Sequence, residues 1–421
     1  MTGSLSGSTS LSLGSRLNFG SSLSDGSSLS WSNGYTAYSL LGPALPSQFT
    51  FSRASAGTYW IGTNIVSAAS GVPRFEAAGG PLGGYGLLLE PQSQNAVTNN
   101  TNVGAAVGTP GTPPTGWTLL PANGITVNVV NIGTESGIPF IDLAYSGTCT
   151  GTYGSLINPG PITQTASQMW TLSVFVELVS GTFNSNLHVQ TQYNDVVQPN
   201  PTTSPLISQR MVVSGAAAST GSNAYLYLLF LSGNTYNFTI RIGGFQMEQQ
   251  GWASSLILTS GSAVTRAADT LSLAPPSWWQ TPSGMTMAME FDEIANVGSQ
   301  LLTLTPGLSL VNQINVANDG GGHLLVGAGS SGGVATGALA QPAVGTTAKM
   351  AVSIVPSGAL NFALGGALAT AGNAGAIPAY GQMGILSAGW SPGTNVSPGH
   401  ARRLKLWNTP LSAAALTGAT Q

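Results

Sequence analysis

At 421 residues the chain has room for two or three domains, each able to bury its own core. Only 5 % of the residues are charged, against about 25 % in an ordinary globular domain, and the ten basic side chains form no phosphate-tracking stripe, which excludes nucleic-acid binding. Hydrophobic residues still reach 42 %, beside 57 Gly and 25 Pro, so the composition is that of a folded chain with a surface solvated by hydroxyls, amides and backbone.

The chain opens on Met1-Thr2-Gly3-Ser4-Leu5-Ser6, which has neither the basic nor the apolar stretch of a signal peptide. No run approaches the roughly 20 apolar residues that cross a bilayer. Residues 1–48 are low in complexity, with variants of Gly-Ser-x-Ser-Leu at Gly3, Gly20 and Gly26. Leu5, Leu11, Leu13, Leu17, Phe19, Leu23, Leu29 and Trp31 are more apolar residues than a flexible linker needs. This stretch is expected to be an anchor ordered against another protein.

From residue 49 to 274 short apolar segments alternate with loops rich in Pro, Gly and Asn. In 171–179 and 236–242 the apolar residues recur with period two, the mark of a half-buried strand. Residues 125–130 read as another strand, and 225–231, apolar throughout, as one buried on both faces. Many short strands with such turns indicate a sandwich or jelly roll. Cys149 is the single cysteine, so an intrachain disulfide is impossible. It is expected to be a small buried residue.

Beyond Ala274-Pro275-Pro276, strand faces are formed by Met285, Met287, Met289 and Phe291, by Met350, Val352 and Ile354, and by Leu360, Phe362 and Leu364. Gly365-Gly366 supplies the positive φ of a tight hairpin. Thr409-Pro410 reads as the start of a single short helix over 410–416.

Two groups of segments resemble a recurrent pattern in tailed-bacteriophage virion proteins of the fibre or spike kind. The first is Phe51-Ser52-Arg53-Ala54-Ser55-Ala56-Gly57-Thr58-Tyr59, then Pro73-Arg74-Phe75, Gly86-Leu87-Leu88-Leu89-Glu90 and Asn95-Ala96-Val97-Thr98-Asn99. The second is Gly244-Phe245-Gln246-Met247-Glu248, Thr259 and Val264-Thr265-Arg266-Ala267-Ala268-Asp269. The resemblance implies an all-β chain of tandem β-sandwiches. A low-complexity virion anchor occupies 1–48 and an extended segment packed on the sandwiches 49–114. A carbohydrate-binding-module-like jelly roll follows over 115–274, and a concanavalin A-like lectin domain over 275–421, where Arg402-Arg403-Leu404-Lys405-Leu406-Trp407 and Pro410-Leu411-Ser412 carry the likeness. It further implies location in a virion, contact with other virion proteins through 1–48, a homo-oligomer such as a trimer, and contact with a host surface glycan.

The residues themselves add a physical reading. Arg53, Arg74, Glu76, Glu90, Arg241, Glu248, Arg266 and Asp269 are eight of the 23 charged residues and cluster in a small part of a chain poor in charge. Structural ion pairs among Arg53, Arg74, Glu90, Glu248, Arg266 and Asp269 would pin extended segments to the sandwiches, fixing geometry more than adding stability.

Catalytic signals are weak. Gly329-Ser330-Ser331-Gly332-Gly333 has the letters of a nucleophile elbow but no following helix. Glu290 and Asp292 share a strand face at about 7 Å spacing, where a retaining glycosidase needs about 5–5.5 Å. Ile294 and Ala295 stand where laminarinase-type glucanases place the further Glu, so the run is expected to be a solvated outer face. His188, His323 and His400 show no ligand spacing, and Asn318-Asp319-Gly320 reads as a turn. No catalytic residue, metal or cofactor is expected. Trp278 and Trp279 are candidate carbohydrate-binding residues, because adjacent strand residues cannot both point inward. The expectation is a glycan-contacting virion structural protein, with an inert structural protein and a glycan depolymerase as alternatives.

Overall fold

The computed structural model describes residues 29–31, 35–78, 80–192, 194–280, 283–306, 313–329, 334–355, 357–373, 379–387 and 395–421. The chain is all-β, with one α-helix among the described residues. Two antiparallel five-stranded sheets form the first sandwich. One runs in the order Ile125–Glu135, Ile138–Thr148, Thr235–Glu248, Met169–Gly181, Arg210–Ala216. The other runs Asn194–Val197, Asn186–Thr191, Tyr225–Phe230, Tyr153–Asn158, Thr118–Leu120. Val129, Leu143, Leu172, Val174, Leu187, Leu226, Leu228, Phe238 and Ile240 meet between them. Tyr225–Phe230 departs from its expected double burial. Its residues alternate between buried and half-buried because Tyr225, Tyr227 and Leu229 face outward.

The second sandwich draws on both ends of the described chain. A nine-stranded sheet centres on Met285–Glu293, flanked by Gly399–Trp407 and Ala348–Ile354. A seven-stranded sheet centres on Ser299–Thr305. Met287, Met289, Phe291, Val352, Phe362 and Leu404 pack from one side against Leu302, Leu304, Val316, Val326 and Ile385 from the other. All nine residues of Met285–Glu293 are buried. The Met face fills the core, and Ala288 lies with Ala351 and Ala363 under Leu416 of the helix Ala413–Thr420. That helix begins later than the sequence suggested. Its N-cap is Ser412, whose side chain accepts from the Ala415 N–H, so Pro410 and Leu411 precede it.

Sheet membership crosses the sequence boundaries drawn at 48, 114 and 274. Tyr35–Ser39, from the expected anchor, pairs along Gly399–Trp407 from Trp407 to Arg403. Gly86–Leu89 pairs with the other end of that strand. Phe49–Ser52 and Thr270–Leu273 pair with each other inside the seven-stranded sheet. Between Ala359–Leu364 and Ala367–Asn373, Gly365 and Gly366 take φ of 55° and 87° in a two-residue hairpin loop. The apolar residues of 1–28 and Ser330 to Gly333 lie outside the described residues.

Candidate functional site

Segments far apart in sequence converge on a buried lattice between the sandwiches. Arg53 follows the strand Phe49–Ser52, Arg74 opens Arg74–Glu76, Glu90 follows Gly86–Leu89, Arg266 ends Val264–Arg266, and Asp269 precedes Thr270–Leu273. Arg53 Nη1 donates to Asp269 Oδ1 at 3.1 Å and Arg74 Nη2 to Asp269 Oδ2. Glu90 Oε2 accepts from Arg74 Nη1 at 2.8 Å and from Arg266 Nη1 at 2.6 Å. All five side chains are at most 1 % exposed. Backbone carbonyls take further guanidinium N–H groups: Ser55 and Ala69 from Arg53, Thr58 from Arg74, and Pro91 from Arg266. Burial by itself would raise the Glu90 carboxyl. The charges of Arg266 and Arg74 and the donors of Ser255 overcome it and hold Glu90 at about 2.

Among the described residues Glu248 makes no direct ion pair. Its carboxylate accepts from Ser93 Oγ at 2.6 Å, the Ser254 N–H at 3.0 Å and Ser254 Oγ at 2.5 Å. Arg241 stands elsewhere, in a cross-strand row with Asp142 and Glu177, joined by Glu135. The amides escaped a charge-based reading. Asn95 and Asn100 both donate to the carbonyls of Phe245 and Ile257, tying the first resembling segment to the second.

A second buried cluster corrects the expectation of a solvated face at Glu290. Glu290 is 4 % exposed and accepts from Arg403 Nη1 at 2.7 Å. Asp292 accepts from Arg402 Nη2 and lies 2.8 Å from His400 Nδ1. His400 Nε2 is 3.0 Å from Glu76. Burial opposes the imidazolium, but Asp292 and Glu76 raise His400 to about 9. Burial pushes the Glu293 carboxyl up, while Asn318, Ser397 and Gln341 donate to it. Met285–Glu293 is a central strand covered on both faces, which leaves its acids with internal partners.

The two tryptophan candidates separate. Trp279 is 0 % exposed and donates its indole N–H to the Thr286 carbonyl at 3.0 Å, so it cannot stack on a sugar. Trp278 is 40 % exposed. Period two had an additional consequence in the first sandwich. With Leu226 and Leu228 inside, Tyr225 and Tyr227 stand outside, across from Gln190 and His188. The His188 and Tyr227 rings stack at 4.3 Å with an interplanar angle of 18°. Asp195 joins them, 3.0 Å from His188 Nδ1 and accepting from Tyr227 Oη at 3.0 Å. Burial and then Asp195 push the Tyr227 phenol up to about 12. A Cβ at Gly154 would lie 3.0 Å from Tyr227 Cδ2, so any side chain there would crowd the ring. His188 Nε2 has no partner among the described residues. Counting tyrosine as merely apolar hid this group in the sequence.

No protein-family model matches the sequence, and no curated protein matches it significantly. Solved structures give low similarity. The CBM40 of the Ruminococcus gnavus IT-sialidase, bound to α2,3 sialyllactose, is 14 % identical with a TM-score of 0.28, over 33 % of this chain and 83 % of that one. Domain 4 of the extracellular GH43 arabinanase from Geobacillus stearothermophilus, in complex with arabinotriose, is 15 % identical with a TM-score of 0.29, over 37 % and 73 %. The mouse laminin α1 chain domains LG4-5 are 11 % identical with a TM-score of 0.24, over 63 % and 92 %. Scores this low leave the function of the chain to its own residues.

Proposed function

We propose that this protein is a non-catalytic structural protein of a tailed-phage virion, of the fibre or spike kind, that contacts host surface glycans. The contact face is the outer surface of the first sandwich at Tyr227, His188 and Asp195. The observation that carries this reading is the stacked His188–Tyr227 pair with a carboxylate held against both. An aromatic face packs on the CH groups of a sugar ring, while Asp195, whose side chain is 40 % exposed, meets its hydroxyls. One such contact is weak. A homotrimer presenting several copies gains avidity without new contacts. The expected attachment to other virion proteins through 1–48 belongs to the same proposal.

The non-catalytic part is supported by the acids of the Met285–Glu293 strand, which are engaged with Arg403, Arg402, His400 and neutral donors. A glycan array of the intact protein, repeated with Tyr227→Ala, tests the glycan reading. Retention of specific glycans that the variant loses is the expected result. No retention on any glycan, with the chain still present in purified particles, would leave the inert structural role in its place. Antibody labelling of particles tests the virion assignment separately.

A further inference from the structure

Three carboxylates surround one guanidinium group on the first sandwich. Asp142, Arg241 and Glu177 stand side by side on neighbouring strands, and Glu135 reaches in from the end of Ile125–Glu135. Arg241 Nε and Nη2 donate to Asp142 at 2.8 and 3.0 Å, and Nη1 donates to Glu135 Oε2. Glu135 Oε1 accepts from the Leu206 N–H at 2.9 Å. Glu177 is left over. Its Oε2 lies 3.8 Å from Arg241 Nη1, is sealed from solvent and accepts from no donor among the described residues. A bare anionic oxygen in such a place is costly. A protonated one is not, because it donates to the Glu135 carboxylate within hydrogen-bonding reach. Burial and then Glu135 push the Glu177 carboxyl up to about 7.

Glu177 lies where a loop is fastened. On Met169–Gly181 the Val176 N–H donates to the Gln209 carbonyl and the Leu178 N–H to the Thr202 carbonyl, one on each side of Glu177. Glu135 holds the same loop at Leu206. The Gln209 side chain bonds Thr202 and Ser204, which braces 202–209 as one piece. Leu206 and Ile207 share an apolar cluster with Trp60 and Ile65 of the hairpin Gly57–Ile61 and Asn64–Ala68, and with Phe140 and Phe175 of the sandwich. Residues 202–209 contain no titratable side chain. Arg210, which follows, donates to Ser173 and Ser254. The charged groups facing Glu177 are therefore Glu135, Arg241 and Asp142.

We propose that Glu177 and Glu135 share one proton, and that this proton latches the loop 202–209 onto the first sandwich. With it in place the two carboxyls bond each other and Glu135 keeps its hold on Leu206. Without it two anionic groups repel beside a sealed oxygen, and the loop lifts to let water in. Lifting draws Leu206 and Ile207 away from Trp60 and Ile65, so the proton sets how firmly the hairpin is held. The latched form binds the proton more tightly than an open one, where a Glu has its ordinary value of about 4.3. The latch is therefore complete below about 4.3 and is lost as pH rises through about 7. It is independent of the Tyr227 face.

Hydrogen exchange of the intact protein, corrected for the intrinsic effect of pH, tests this at the amides of Val176, Leu178 and Leu206. Their protection should fall at least about tenfold from pH 5 to 7 and level off above that. The Ile240 amide, on the central strand Thr235–Glu248, should not follow. Glu177→Gln keeps a donor towards Glu135 and removes the titration, so in that variant protection should hold to pH 8. Carbon-13 carboxyl shifts of the unsubstituted protein need no variant, and Glu177 should titrate at about 7. Protection that ignores pH, a fall that persists in Glu177→Gln, or a Glu177 midpoint near the ordinary value of about 4.3 would each overturn the proposal.

Discussion

Arg74 and Asp269 are 195 residues apart in sequence, yet Arg74 Nη2 donates to Asp269 Oδ2 in full burial. The same guanidinium group holds Glu90, and Asp269 holds Arg53. Arg74 therefore ties the paired strands Arg74–Glu76 and Gly86–Leu89 to the pair Phe49–Ser52 and Thr270–Leu273 in the other sheet.

Replacing Arg74 by Ala leaves two carboxylates buried with a partner missing. Breaking a buried pair from one side costs about 3–5 kcal/mol. Urea denaturation should show a loss of that size, and a change under about 1 kcal/mol would mean that water replaces the guanidinium group.

The lattice and the His400 cluster respond to opposite ends of the pH scale. Glu90 is held at about 2 in the fold, against about 4.3 when unfolded. Its contribution is complete above the unfolded value and is lost as pH falls from there through 2. His400 is raised to about 9, against about 6.5 unfolded. Its contribution is complete below 6.5 and is lost as pH rises through 9. Denaturation midpoints from pH 2 to 10 should fall on both sides, and His400→Gln should remove the alkaline fall while leaving the acid one.

The adjacent tryptophans should behave unlike each other. Trp279→Ala empties a sealed position and should cost about 3–5 kcal/mol. Trp278→Ala, at a half-open position, should change stability by less than about 1 kcal/mol. Thermal melts of the two variants decide this, and equal losses would contradict the burial difference.

Tyr227→Ala should weaken glycan retention at least tenfold, with the melting temperature held within a few degrees, because the ring lies on the outer face. Gly154→Val should act in the same direction by crowding that ring. Retention unchanged in both variants would remove the His188–Tyr227 stack from the proposal.

Gly365 has nothing within 4 Å of an added Cβ, so a substitution there reports backbone strain alone. At φ 55°, Gly365→Val should cost about 1–2 kcal/mol.

Period two made much of this fold legible. The Met, Val and Leu faces of 285–291, 350–354 and 360–364 point into one core, as their alternation indicated. Charge scarcity likewise drew attention to Arg53, Arg74, Glu90, Arg266 and Asp269, which lie together. Burial on the second side of a central strand was not legible. Asp292 and Glu293 look like surface acids until Arg402, His400 and Asn318 arrive from other strands. Nor was sheet membership. Tyr35–Ser39 has a strand pattern, but nothing local says that its partner is Gly399–Trp407. The half-buried stack was not legible because tyrosine satisfies an apolar pattern and a polar one equally.

The pairing of Tyr35 with Trp407 also sets a timetable for synthesis. The first sandwich is built from nearer neighbours and can close while translation continues. The second cannot seat its early strand until the late one leaves the ribosome, so a ribosome stalled short of Gly399 would hold a finished jelly roll beside an unclosed sheet. Contacts spanning this much chain form slowly, and during the wait the edge of the unfinished sheet is open to strands of neighbouring nascent copies.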